Sequence, residues 1–189
     1  RPALRGLPIA IVGGRQRRSH DDKRFTMHDA SLTRSAIEAR TGTREALARA
    51  LTASRADTLA TFEAYARALP DFAVPLRAEF NPPLWELGHI GWFQEYWIAR
   101  NPERSLGERA DPDAARRAPR RAGADALYNS SRVPHDSRWQ LPLPDAAATR
   151  DDLAAQLDES LSLLRQAGAD DAGLYFFRLA LLHEDMHHE

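Results

Sequence analysis

Apolar residues recur at helical spacing in four segments of the chain. The first segment starts near Thr43 in alanine-rich sequence, and Pro70 stops its apolar stripe. The second starts at residues 81–83, where two prolines suit the first turn of a helix, and runs to Asn101. No segment alternates strictly between apolar and polar residues as a half-buried strand does. The pattern therefore predicts an all-α fold.

The third and fourth helices are predicted in the last part of the chain. The third carries a leucine stripe, formed by Leu153, Leu157, Leu161 and Leu164. Thr149 and Asp152 have the spacing of a capping box and predict its start, while Asp170 or Asp171 predicts the start of the fourth helix. Residues 102–144 are too long for a simple link between helices. We predict a four-helix bundle with one long crossover loop between helices 2 and 3.

Composition narrows the classes of function. The chain has 26 basic and 27 acidic residues, which gives no electrostatic case for binding nucleic acid or an anionic membrane. It has no cysteine, which excludes disulfides, zinc-thiolate sites and a cysteine nucleophile. No apolar run approaches the length of a membrane span. We therefore predict a cytoplasmic protein that binds neither nucleic acid nor a membrane.

The two ends of the chain differ from its middle. Residues 1–40 show little periodicity, so they are predicted to be a mobile leader, with Met27 as a candidate start of translation. Residues 41–189 are predicted to be the folded domain. The chain begins with Arg1, and no C-cap signal follows the last apolar segment. We expect it to be part of a longer protein.

A pair of histidines ends the fourth predicted helix. Residues four apart lie on one helix face about 5–6 Å from each other, so His183 and His187 can reach a single metal ion. Phe176 and Ala180 precede them on that face, which predicts that the imidazoles extend an apolar stripe into the core. His89 is the candidate third ligand, because helices 2 and 4 of an up-down bundle run in the same direction. Such histidines also occur without a metal, as solvated helix-end residues or packed core residues.

Residues next to these histidines offer further chemistry. Glu184 makes the string a formal His-Glu-x-x-His, in which a metalloprotease uses the glutamate as its base. His188 lies about 100° around the helix from His187 and is expected to face outward. Gly88 and Gly91 flank His89 and would let a neighbouring segment come close. Three neutral imidazoles suit either zinc that activates water or ferrous iron that binds substrate and oxygen.

Three stretches of the chain carry a family resemblance. They are residues 81–95, which include Trp-Glu-Leu-Gly-His, residues 127–130, Leu-Tyr-Asn-Ser, and residues 183–189, His-Glu-Asp-Met-His-His-Glu. In order and spacing they resemble the signatures of the amino-terminal, DinB-like domain of the ergothioneine-synthase family, over roughly residues 43–189. The resemblance implies a non-haem iron enzyme that uses O2 to join a chalcogen to carbon 2 of an imidazole. By position it implies Fe²⁺ bound by His89, His183 and His187.

One position departs from the family pattern. Sulfur-using synthases typically have His-Leu-x-His on the second helix, whereas Glu86 here replaces the first histidine. With the stretch Ser-Ser-Arg-Val-Pro-His-Asp at residues 130–136, the chain looks closer to the selenoneine-synthase branch, which joins hercynine to a selenosugar. The implied substrates are hercynine, a selenosugar or a thiol, and O2. The resemblance also implies a second domain after residue 189, similar to formylglycine-generating enzymes, that supplies most of the pocket and a tyrosine proton donor.

The second half of the crossover is the predicted substrate-binding loop. Aromatic, polar and charged residues crowd together there, as in loops that line sites. We predict that Tyr128, Asn129 and Arg132 bind substrate. Two other functions stay open. One is a zinc-dependent, DinB-like hydrolase or thiol transferase with Glu184 as base, and the other is a metal-free interaction module whose histidines merely pack.

Overall fold

The computed structural model describes residues 37–188, and every regular element among them is helical. A short α-helix lies in the crossover between two of the long helices. In chain order the main α-helices are α1, Arg44–Ala68, α2, Pro83–Gln94, α3, Ala124–Tyr128, α4, Ala146–Gln166, and α5, Asp171–His188. The predicted all-α bundle is confirmed, with its long crossover between α2 and α4. Most of the expected leader, residues 1–40, lies outside the described residues.

Local sequence signals start three of the long helices. The side chain of Thr43 accepts a hydrogen bond from the main-chain N–H of Ala46 and begins α1. Pro83 occupies the first turn of α2, where its missing N–H would have no helical partner. The carboxylate of Asp170 accepts from the N–H of Gly173 at the start of α5. The predicted boundaries at these three sites are confirmed.

The predicted start of α4 is wrong by one turn. Asp145 is the N-cap, because its side chain accepts a hydrogen bond from the N–H of Ala148. Thr149 already lies within the helix, and its hydroxyl donates to the carbonyl of Asp145. Aspartate is as good a cap as threonine, and an alanine run follows it at once. The capping-box pattern therefore placed the start of α4 at Thr149, four residues after the observed N-cap, Asp145.

The bundle core holds α5 against α1 and α4. Leu47 and Leu51 of α1 are completely buried in one cluster with residues of α5. The α5 members of this cluster are Leu174, Phe176, Phe177, Ala180 and Leu181. Burying one leucine or phenylalanine side chain contributes about 1.5–3 kcal/mol. This packing fixes the rotation of α5, so its last two turns are presented to α2.

The crossover is anchored to α2 by a network of polar contacts. Beyond Gln94, helix α2 continues as the π-helical segment Glu95–Ala99. Arg100 then makes two hydrogen bonds to the carboxylate of Asp125, at 2.7 and 2.8 Å. The indole N–H of Trp92 donates to the same carboxylate at 2.7 Å. These contacts bring α3 and the residue at its end, Tyr128, alongside the middle of α2.

Across the described part of the chain, the helices lack the combination of length and apolar character that crossing a bilayer requires.

Candidate metal centre

Three histidines converge where α5 meets α2. His89 comes from α2, and His183 and His187 come from α5, with their candidate ligand nitrogens all within 4.8 Å of one another. Nε2 of His183 lies 3.2 Å from Nε2 of His89 and 3.2 Å from Nε2 of His187. Ligand nitrogens that share an ion at about 2.1 Å lie about 3.0–3.4 Å apart in octahedral or tetrahedral geometry. The structure thus brings the three predicted ligands together at separations typical of a metal site.

Contacts on the far side of two rings set their protonation. Nδ1 of His89 lies 2.8 Å from the carbonyl oxygen of Tyr128. A carbonyl only accepts, so Nδ1 carries the proton and Nε2 presents a lone pair. Nδ1 of His187 likewise faces a carboxylate oxygen of Glu86 at 3.3 Å. A protonated Nε2 on His183 could donate to only one of its two neighbours, so lone pairs would still face each other. A single cation satisfies all three nitrogens.

Burial keeps two of these histidines neutral. Burial lowers the pKa of His89 to about 4, although its hydrogen bond to Tyr128 and the charge of Glu86 partly oppose the shift. Burial, together with the other two imidazoles, lowers the pKa of His183 to about 2. Neutral imidazole is the form that binds metal. His89 and His183 are therefore in the form that binds metal well below neutral pH.

Aromatic side chains of α2 hold the ligand rings in place. The ring of His89 stacks on Trp85, with ring centroids 4.8 Å apart, and the ring of His183 stacks on Phe93, with centroids 3.6 Å apart. The indole N–H of Trp85 donates to the carbonyl of Leu127 at 2.8 Å, so the stacking partner of His89 is itself fixed. These aromatics shield one side of the site from water and limit the rotation of the rings.

Gly88 allows Tyr128 to reach His89. A Cβ atom at position 88 would lie 2.3 Å from ring carbons of Tyr128, and one at Gly91 would lie 2.1 Å from the amide oxygen of Gln156. The prediction that these glycines permit close approach is confirmed. The ring of Tyr128 is buried, and burial raises its pKa to about 12. Tyr128 therefore serves the site through its main-chain carbonyl.

The other two predicted substrate residues lie beyond α3. The side chain of Asn129 accepts a hydrogen bond from the N–H of Ser131 at 3.1 Å and shapes the turn after α3. Arg132 is exposed. Substrate binding by Tyr128, Asn129 and Arg132 stays a prediction.

We expect Gly88→Ala to weaken both the fold and the metal site. The added methyl group must displace the ring of Tyr128, which moves the carbonyl that holds His89 and costs about 1–3 kcal/mol of overpacking. Gly91→Ala is the matched control, because it crowds Gln156 and leaves the Tyr128 contact intact. Urea unfolding and zinc titration of both variants check this. If both variants bind zinc equally, the Tyr128 carbonyl has no role in the site.

Acid is expected to destabilise the metal-free protein. An unfolded histidine takes up a proton near pH 6.5, whereas folded His89 does so near 4 and folded His183 near 2. Between these values the unfolded state binds more protons, so the free energy of unfolding falls as the pH falls below 6.5. Each pH unit lowers the free energy of unfolding by about 1.4 kcal/mol per histidine. The protonation of His89 alone lowers it by about 3 kcal/mol by pH 4.

Urea unfolding followed by circular dichroism, at about pH 7 and about pH 4.5, measures this loss. The double variant His89→Gln, His183→Gln is the control and should lose less stability on acidification. Equal losses in the two proteins would show that these histidines do not resist protonation.

A cavity of about 280 Å³ opens beside His187 and Glu86. Its other walls come mainly from α1, the loop before α2 and the first turns of α2. They are Thr58, Thr61, Phe62, Tyr65, Val74, Glu79, Phe80, Asn81, Pro83, Leu87 and Ile90. The lining includes two carboxylates and several aromatic rings, but no arginine or lysine. A small molecule in this cavity would lie next to His187, one of the three histidines.

Glu184 lies in the bundle core. Its side chain is 1% exposed, and its oxygens accept hydrogen bonds from Arg55, at 2.6 and 3.1 Å, and from the hydroxyl of Thr58, at 2.9 Å. Both oxygens are engaged in this ion pair, which leaves neither free to act as a base on a metal-bound water. The orientation expected for His188 concerns a side chain outside the described ones.

Comparison with known proteins identifies a family for most of the chain. None of the curated proteins compared with the chain matches it. The family model of the DinB superfamily matches residues 46–189, a segment that contains all five helices except the first two residues of α1. Because this match covers well over half of the chain, the protein belongs to the DinB superfamily.

Proposed function

We propose that this DinB domain is the iron-binding part of a non-haem, O2-dependent synthase that forms a carbon-selenium or carbon-sulfur bond at the imidazole C2 of hercynine. The observation that carries the proposal is the convergence of three imidazoles, on His89, His183 and His187, in which Nε2 of His183 lies 3.2 Å from the Nε2 of each of the other two. The resemblance of residues 81–95, 127–130 and 183–189 to the synthase signatures supplies the reaction.

The reaction needs an oxidant. Replacing the C2–H bond of the imidazole and the Se–H bond of a selenol by a C–Se bond removes two protons and two electrons, and O2 accepts the electrons. A bound ferrous ion would supply O2 activation and a positive charge that stabilises a selenolate or thiolate. The ligand set carries no negative charge of its own, which favours an anionic second substrate at the ion.

The protein's own residues orient the reactants. Trp85 and Phe93 shield the ligand rings, and Tyr128 fixes the proton on the outer nitrogen of His89. The cavity beside His187 gives hercynine a place next to the ion, and its carboxylates and aromatic rings suit a trimethylammonium group. Holding both substrates in contact replaces a slow bimolecular encounter by a reaction within one complex.

The decisive experiment is a reconstituted assay. Since the resemblance implies a second domain that supplies most of the pocket, the assay uses the full-length natural protein loaded anaerobically with Fe²⁺. Hercynine and either a selenosugar or a cysteine-containing thiol are added, followed by O2, and the coupled product is sought by mass spectrometry. We expect product that requires both iron and O2, and none from zinc-loaded protein. Absence of product from fully iron-loaded enzyme would overturn the proposal.

A zinc-dependent hydrolase or thiol transferase is the second candidate. The observation in its favour is the ligand set, since three imidazoles also form an ordinary catalytic zinc site. The burial of Glu184 against Arg55 counts against it, because the base that the His-Glu-x-x-His pattern requires is already paired. O2-independent turnover by zinc-loaded protein would favour this candidate.

A further inference from the structure

The carboxylate of Glu86 contacts His187, one of the three candidate metal ligands. One oxygen of Glu86 lies 3.3 Å from Nδ1 of His187, and the other accepts a hydrogen bond from the side-chain amide of Asn81 at 2.6 Å. The Nε2 of the same histidine points at His183. Glu86 therefore contacts the ring on the side away from the site, and a metal held by Nε2 would leave this contact in place.

The contact continues into the crossover. The side-chain oxygen of Asn81 accepts a hydrogen bond from Arg138 at 2.7 Å, so the amide is held with its N–H toward Glu86. The guanidinium of Arg138 lies over the ring of Trp85, 3.9 Å from its centroid, and Trp85 also stacks on His89. One connected series of contacts thus ends at His187. It includes residues from the crossover, the loop before α2, α2 itself and α5.

We propose that Glu86 is a positioning residue that sets the orientation and the electron density of His187 as a metal ligand, with Asn81 and Arg138 holding its carboxylate in place. A carboxylate that accepts the N–H of a ligating imidazole fixes the tautomer and makes the other nitrogen a stronger donor. The three histidines carry no negative charge of their own, and this carboxylate brings one into direct contact with the ligand set.

This role also accounts for the departure at position 86. A histidine there, as the sulfur-using synthases typically have, is neutral or cationic, and it cannot supply a permanent negative charge behind His187. The inference requires the three-histidine metal site and is independent of the coupling reaction in the proposed function. It predicts that Glu86 raises the affinity for divalent ions and stabilises the more highly charged state of a redox-active ion.

The test compares Glu86→Gln with Glu79→Gln. Glu79 lines the same cavity but makes no contact with the histidines, so its variant makes the same chemical change without touching the site. Affinity for Co²⁺ is measured by competition with a chromophoric chelator, together with the visible spectrum of the bound Co²⁺. For iron-loaded protein the Fe³⁺/Fe²⁺ midpoint potential is also measured.

We expect Glu86→Gln to lower the Co²⁺ affinity by about 10- to 100-fold, to change the Co²⁺ spectrum and to raise the midpoint potential. Glu79→Gln should match the wild type in all three. Asn81→Ala, which frees the carboxylate without removing it, should shift the same three quantities in the same direction by smaller amounts. If Glu86→Gln fails to fold, the measurements on Asn81→Ala test the inference in its place.

Wild-type affinity and an unchanged spectrum in Glu86→Gln would overturn the inference. Equal losses in Glu86→Gln and Glu79→Gln would also overturn it, because the effect would then be general to the cavity. If the wild-type protein itself binds no divalent ion, the metal site fails and this inference fails with it. Metal binding with the expected shifts but no coupled product would instead refute the proposed reaction alone.

Discussion

Alanine at any one of His89, His183 and His187 is expected to abolish stoichiometric metal binding. The three Nε2 atoms come from two helices. Nε2 of His183 lies 3.2 Å from each of the other two, so each nitrogen would contribute one bond to a shared ion. Losing a ligand should cost more than the roughly 10- to 100-fold that losing a supporting hydrogen bond costs. Metal analysis of the purified variants after dialysis measures the loss.

His135→Ala is the matched control. This histidine lies in the crossover, where its Nε2 contacts the carbonyl of Phe80 at 2.8 Å, and it is not part of the three-histidine cluster. Its variant should keep a full complement of metal, and so should His188→Ala if the helical phase predicted from the sequence is right. A His187→Ala protein that still binds one ion would contradict the assignment. A wild-type protein without affinity for any divalent ion would favour the metal-free module.

Helical spacing predicted much of the site because the ligands lie on regular helices. The separation of four residues between His183 and His187 determines which face they share, and the apolar stripe before them determines that this face turns inward. His89 could be predicted as the third ligand because predicted helices 2 and 4 of an up-down bundle run in the same direction. These inferences need only the period of the helix and the order of the segments, both of which are written in the sequence.

The supporting contacts could not be predicted in the same way. Tyr128 holds His89 through a main-chain carbonyl, and every residue has such a carbonyl, so nothing in the sequence marks this one. The packing of Tyr128 on Gly88 depends on how the long crossover folds back. Glu86 is marked in the sequence only as a departure from the synthase signature that residues 81–95 resemble, and its partner His187 is 101 residues away. Irregular segments and distant pairs are determined by tertiary packing.

Glu184 shows how a local motif can suggest a contact that the fold does not make. The pattern His-Glu-x-x-His suggests a base next to a metal, yet Glu184 pairs with Arg55, which lies 129 residues away. A signal for this pair exists in α1. Arg55 follows Leu51 by four residues and precedes Phe62 by seven, so it occupies a core position in the apolar stripe. An arginine at such a position predicts a buried acidic partner, because an unpaired charge in the core is strongly destabilising.

The largest expected loss of stability follows from breaking this buried pair. Arg55 is 3% exposed and Glu184 is 1% exposed. Arg55 also donates to the carbonyl of Leu153 at 2.6 Å and to the side chain of Gln94 at 2.9 Å, so it joins α1 to α4, α2 and α5. In Arg55→Met the carboxylate of Glu184 stays buried without its cation. Such a change costs about 3–5 kcal/mol, a large share of the roughly 5–15 kcal/mol that stabilises a typical domain.

The double variant Arg55→Met, Glu184→Met separates the unpaired charge from the lost packing. It removes both charges and leaves apolar side chains of similar length, so we expect it to recover most of the stability lost by Arg55→Met alone. Urea unfolding of the metal-free proteins gives the coupling energy between the two sites. The pair Arg150–Glu63 is the matched control, since its side chains are 38% and 45% exposed and Arg150→Met should cost less than about 1 kcal/mol. A double variant that is no more stable than Arg55→Met would refute the unpaired-charge explanation.

The same double variant tests the hydrolase candidate. If Glu184 is the base, the folded, zinc-loaded double variant should have no hydrolase activity.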